Sequence, residues 1–82
     1  MGQGKHISKI EQYVIDFVIK LRRDKSLTQA DIATIIGVNR VFVTNAENPD
    51  NRAKYNIDHI NLLADHFGMS PRDFLPEKAM LD

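Results

Sequence analysis

Cysteine is absent from all 82 residues. That excludes a disulfide framework, a thiolate metal site and a cysteine nucleophile together. No apolar run is long enough to span a bilayer, and no secretory signal is visible. No membrane partner is expected, and a cytoplasmic location follows by default. An excess of one charge is missing as well, since eleven Lys/Arg balance eleven Asp/Glu. A uniformly basic surface is thereby ruled out, but a basic face is not. Residues 1–55 carry nine Lys/Arg against six Asp/Glu, and residues 56–82 carry two against five. One end is basic and the other acidic.

Catalytic constellations are missing too. No serine has an evident His/Asp relay, no carboxylate pair sits in an acid–base frame, and no glycine-rich phosphate loop is present. His59 and His66 are seven residues apart. On one helix that is two turns, about 10 Å, too far for one metal ion, so both read as surface histidines. His6 has no partner. An enzyme is not expected, and neither catalytic residues, a metal nor a cofactor is assigned.

What remains is an ordinary globular composition, 43% hydrophobic and 27% charged, sufficient for one small core. Residues 1–6 read as a flexible leader. Ile7, Ile10, Val14, Phe17, Val18 and Leu21 recur at helical spacing, predicting a helix to about Asp24. Ile15 and Ile19 fall about a third of a turn off that stripe and read as surplus apolar surface. Arg22, Arg23 and Lys25 suit the negative end of this helix.

Thr28 reads as the N-cap of a second helix, with Asp31 answering it, and Gly37 as its left-handed stop. Asn39 caps a third helix ending near Glu47. The stretch "NPDNRAKY" is a loop, in which Tyr55 reads as a packing residue with an exposed hydroxyl. Asn56 caps a fourth helix with Ile60, Leu63, Ala64 and Phe67 inward, stopped by Gly68. Ser70, Pro71 and Asp73 start a short fifth helix that Pro76 ends. No strand alternation occurs. The expectation is an all-α domain of five helices over residues 7–76, with a C-terminal tail at 77–82.

Helices two and three are joined by three residues, Gly37-Val38-Asn39. So short a joint forces a steep crossing, as in a helix-turn-helix. Ala33 supplies the small residue at the close approach. Val38, Val43 and Ala46 face Ile32 and Ile36. The unit spans about residues 28–47. With Val43 at the centre of the core, Val41 points about 160° away and Phe42 about 100° to one side. Val41 is then a surface residue, and Phe42 either covers the edge of the core or contacts a ligand.

The stretch "LRRDKSLTQADIATIIGVNRVFVTNAEN" resembles the Cro/C1-type (XRE-type) helix-turn-helix domain of bacterial and phage regulators. "IDHINLLADHFGMSPRDFL" extends the likeness, which covers roughly Val14 to Leu75. The resemblance implies a five-helix, lambda-repressor-like fold. It implies a transcriptional regulator that binds double-stranded DNA with helix three in the major groove, usually as a homodimer. Carried onto this chain, Arg40, Val41, Thr44 and Asn45 match base-reading positions. Arg40 suits guanine, Asn45 adenine and Val41 a thymine methyl. Gln29, Asn39, Asn48, Arg52 and Lys54 match DNA-backbone positions. Phe42 departs from the small hydroxyl residue usual in the family, and a DNA contact there is left open beside the core-edge reading. The loop after helix three is longer than is common in the family. Arg22 and Glu47 match an internal ion pair between helices one and three. No small-molecule effector is expected.

A different class of function uses the same frame, namely a protein-interaction module or antitoxin-like subunit that reads a protein partner. Zero net charge and the apolar Val41 and Phe42 keep it in view. Homodimerisation has two candidate surfaces: the tail, where Met80 and Leu81 have no place in the core, and the flank of Ile15 and Ile19. The third option is a tail folded back over Ile15 and Ile19 within one chain.

Overall fold

The computed structural model describes residues 7–82, and among them the chain is all-helical with no strand. Helix α1 spans Lys9–Asp24, α2 Gln29–Ile36, α3 Arg40–Glu47 and α4 Ile57–Phe67. The leader assigned to residues 1–6, with His6, lies outside the described residues.

The expected fifth helix is a correction. Pro71–Phe74 form one 3₁₀ turn, so there are four α-helices among the described residues, not five. Ser70 and Asp73 cap it as the sequence suggests. Pro76 leaves no room for a second turn, because it drives the residue before it out of the helical region. Leu75 is accordingly extended, at φ −113° and ψ 152°.

Each helix begins at a side-chain cap, which satisfies one of the backbone donors that a helix start leaves free. Thr28 with Asp31, and Asn56 with His59, form reciprocal capping pairs. Ser8 with Glu11 does the same for α1, which therefore starts after Ser8 and not at Ile7. Gly37 and Gly68 close α2 and α4 in the left-handed conformation, at φ 76° and 67°.

One fully buried side chain from each element meets in the core: Val18, Ile32, Val43, Leu63 and Phe74. Each such burial stabilises the fold by about 1.5–3 kcal/mol. Helix α2 packs on α3 and α4, while the 3₁₀ turn packs on α4 and α1. Helix α1 also meets α3.

That double contact overturns the reading of α1. Ile15 is only 1% exposed, and Ile19 is half-buried against the core, whereas Ile10, placed inward from the sequence, is 38% exposed. A stripe of period 3.6 describes a helix with one neighbour. Helix α1 has two, α3 on one side and the turn carrying Phe74 on the other, so its buried arc is wider and turned. Phe17 closes the second contact edge-on to Phe74, with ring centroids 4.8 Å apart. Of the surplus apolar flank, Ile15 is therefore core and Ile19 packs partly against it. The tail folds back onto the first turn of α1. The Asp82 carboxylate accepts a hydrogen bond from the Lys9 N–H at 2.8 Å. Met80 is half-buried, and Leu81 is 83% exposed.

Candidate nucleic-acid interface

The joint between α2 and α3 is built from backbone chemistry. Val38 N–H returns to the Ala33 carbonyl at 2.9 Å, with Gly37 left-handed between them. A Cβ on Gly37 meets no heavy atom within 4 Å, so glycine is required there for its φ and not for space. Asn39 then restarts the chain by accepting from Phe42 N–H at 3.1 Å.

Helix α3 has two unlike faces. At about 100° per residue, Arg40, Thr44, Val41 and Asn45 occupy one arc of about 140°. The first three are exposed and Asn45 is half-exposed. Val43 and Ala46 lie on the opposite arc and are buried, with Phe42 half-buried beside them. The four residues matched to base reading thus share the outer face.

One flank of α3 is held by polar bonds. Arg22 of α1 donates through Nε and Nη2 to the two carboxylate oxygens of Glu47, both at 2.9 Å. Its Nη1 donates to the Leu27 carbonyl at 3.1 Å. These side chains are 14% and 9% exposed, so the fork is largely out of water. Gln29 extends the arrangement. Its Nε2 donates to Glu47 Oε1 at 3.0 Å, and its Oε1 accepts from Thr44 Oγ1 at 2.8 Å. Gln29 thus ties the start of α2 to the middle of α3. That link lies beyond the sequence reading; the only signals for it are a long amide at the first residue of α2 and a hydroxyl on α3.

The other flank is aromatic. The Phe42 ring lies edge-on to His59 and Tyr55, with centroids 5.3 and 6.0 Å away. Of the two readings of Phe42, the structure shows the core-edge packing. His59 is half-buried here and is not a free surface histidine. Its Nδ1 accepts from the Asn56 N–H at 3.1 Å, which requires the unprotonated nitrogen. Burial lowers its pKa below 6.5, with Asp58 opposing the shift. Its position three residues after the Asn56 cap is the signal that was available. Tyr55 is buried together with its hydroxyl, which has no hydrogen-bond partner among the described residues. Desolvation, and then the nearby Glu47 carboxylate, push the phenol above its usual range.

The remaining matched residues are dispersed. Arg40 and Arg52 are exposed and form no ion pair among the described residues. Asn39 uses its carbonyl as a cap, and Asn48 uses its own to accept from Asp50 N–H at 2.9 Å. Lys54 is drawn to Glu11 of α1 at 3.0 Å. The Ser8 N–H, and after it Lys54, hold the Glu11 carboxyl below its ordinary value. No cluster of three or more metal-binding side chains occurs among the described residues, and none of their helices is long and apolar enough to cross a membrane. Comparison with protein-family models, curated proteins and solved structures finds no match.

Proposed function

We propose that this chain is a sequence-specific, double-stranded-DNA-binding transcriptional regulator of the Cro/C1 type, with α2, the Gly37 turn and α3 as its helix-turn-helix. The observation that carries this reading is the outer face of α3. Arg40, Val41, Thr44 and Asn45 stand together on one arc, while the opposite arc is fixed by the core and one flank by bonds to α1 and α2. A major groove admits one α-helix, and these side chains suit base edges. Arg40 reads guanine through two hydrogen bonds, Asn45 reads adenine, and Val41 lies on a thymine methyl. Arg52, Asn39 and Asn48 hold phosphates. Gln29 keeps one amide proton beyond the one donated to Glu47 and directs it to a phosphate. Lys54 joins them by leaving Glu11, since an exposed ion pair costs only about 0–1 kcal/mol to open.

The protein binds as a homodimer on a two-fold site, because one recognition helix reads too few base pairs to stand out among competing sites. The contact lies where α1, the 3₁₀ turn and the tail leave Ile10, Tyr13, Leu75 and Leu81 exposed. Tyr13 and Leu75 line a common groove there. Sedimentation with and without a palindromic duplex tests this. One protomer bound per palindrome at saturation excludes it.

The second reading, a module that binds a protein partner, is favoured by one observation. Val41 and Ile57 are 57% and 69% exposed, which is much apolar surface for a domain of zero net charge. Selection of sites from random duplexes, followed by a salt titration, separates the two. DNA binding releases counterions and weakens steeply as salt rises. Arg40→Ala should then lose about 1–3 kcal/mol of discrimination at one base pair, and Arg52→Ala should weaken all sequences alike. Failure to enrich any duplex leaves the protein-partner reading.

A further inference from the structure

The polar flank of α3 has a direction, and that direction fixes the Thr44 hydroxyl. A carboxylate only accepts hydrogen bonds. Glu47, held by Arg22, must therefore face the amide nitrogen of Gln29, not its oxygen. The Gln29 oxygen is thereby turned to Thr44, and an amide oxygen also only accepts. Thr44 has to be the donor in the 2.8 Å contact. Its hydroxyl carries one proton. The other acceptor in reach is the Arg40 carbonyl at 3.2 Å, which is again within the protein. Either rotor position keeps the proton off the outer face. Lone pairs and the γ-methyl are what Thr44 presents outward.

We propose that Thr44 is a specificity-determining acceptor. It reads an exocyclic amino group, adenine N6 or cytosine N4, and disfavours guanine and thymine on the strand it faces. Gln29 is a positioning residue that strengthens this preference, as the nearer of the two acceptors for the Thr44 proton. The inference rests on the DNA-binding reading of α3 above. Every base pair shows one amino group in the major groove, carried by one strand or the other. The readout is therefore amino against keto at a single position of each half-site.

The test uses the full chain and a random-sequence duplex library, with wild type, Thr44→Val, Thr44→Ser and Gln29→Ala selected in parallel. Wild type should favour A or C over G or T at one position by about fivefold, the effect of a single hydrogen bond. Thr44→Val should lose that preference, Thr44→Ser should keep it, and Gln29→Ala should weaken it without abolishing it, because the Arg40 carbonyl still accepts the proton at the longer 3.2 Å. All four should retain the base chosen by Arg40. An analogue lacking the amino group, purine for adenine or 2-pyrimidinone for cytosine, should weaken wild type by the same factor and leave Thr44→Val unaffected. A keto base chosen at the Thr44-dependent position overturns the proposal, as does an unchanged profile in Thr44→Val. An unchanged ratio in Gln29→Ala overturns the role of Gln29. If no duplex is enriched by any variant, it is the DNA reading itself that has failed.

Discussion

The two flanks of α3 are secured by different physics. On one side, Arg22, Glu47, Gln29 and Thr44 form a chain of directional hydrogen bonds reaching from α1 across α2. On the other, Phe42 rests edge-on against Tyr55 and His59. Directional bonds tolerate little rotation, so the polar flank sets the angle at which α3 turns its outer face. Ring contacts tolerate sliding but not removal of bulk, so the aromatic flank sets how far α3 stands from α4. Together the two flanks fix the angle and the distance of α3.

The largest effect belongs to the polar flank. Glu47→Ala leaves the largely buried Arg22 without its partner and should cost about 3 kcal/mol. Domains of this size are stable by about 5–15 kcal/mol, so the loss is a large share and is read directly from denaturant unfolding. Phe42→Ala should cost about 2 kcal/mol, below the usual 3–5 for a core phenylalanine because the ring is only half-buried. If Phe42→Ala proves the costlier of the two, the aromatic flank is the principal support and the comparison is reversed.

How much of this was legible follows the same division. Caps at Thr28, Asn39, Asn56 and Ser70, and the left-handed Gly37 and Gly68, depend on residues within one turn and were readable from sequence. The 100° offset of Phe42 from Val43 was readable too. What the ring meets was not, because Tyr55 comes from the loop and His59 from α4. The Arg22–Glu47 pair entered through a resemblance, since 25 residues separate its members. The Gln29–Thr44 bond depends on how α2 crosses α3, which no local pattern encodes. Ile15 was misplaced for a similar reason. Periodicity shows that a helix has an inner face but not that it has two neighbours.

The aromatic flank carries an internal flaw that sharpens the contrast. The Tyr55 hydroxyl is buried without a partner among the described residues, whereas every polar group of the opposite chain is bonded. Tyr55→Phe removes the hydroxyl and keeps the ring. It should stabilise the domain by up to about 1 kcal/mol, the desolvation penalty of an unsatisfied group. Thermal unfolding of the two proteins at neutral pH measures this. A loss above about 1 kcal/mol would mean that the hydroxyl is bonded in solution, and the two flanks would then both be polar.

The smallest effect distinguishes the flanks by pH. Neutral His59 accepts the Asn56 N–H at the start of α4, and its pKa is held below 6.5, mainly by burial. A histidine whose pKa is lowered on folding favours the fold in its neutral form. The full contribution is present above pH 6.5 and is lost as pH falls below that value through the folded pKa. Protonation also breaks the cap and sets a cation beside Phe42 and Tyr55. The polar flank, Arg22, Glu47, Gln29 and Thr44, contains no histidine. His59→Gln keeps an acceptor at the same capping position without a titrating ring. Between pH 7 and pH 5, wild type should lose more stability than His59→Gln, by less than about 1 kcal/mol, the scale of one exposed cap bond. Carboxylate titration is common to both proteins and cancels in the difference, including that of Glu11, whose lowered pKa confines its loss to pH below about 4.5. Parallel unfolding curves across the interval would show that the cap does not depend on the state of the ring. A larger loss in His59→Gln would show that protonation strengthens this flank, the opposite of what its geometry requires.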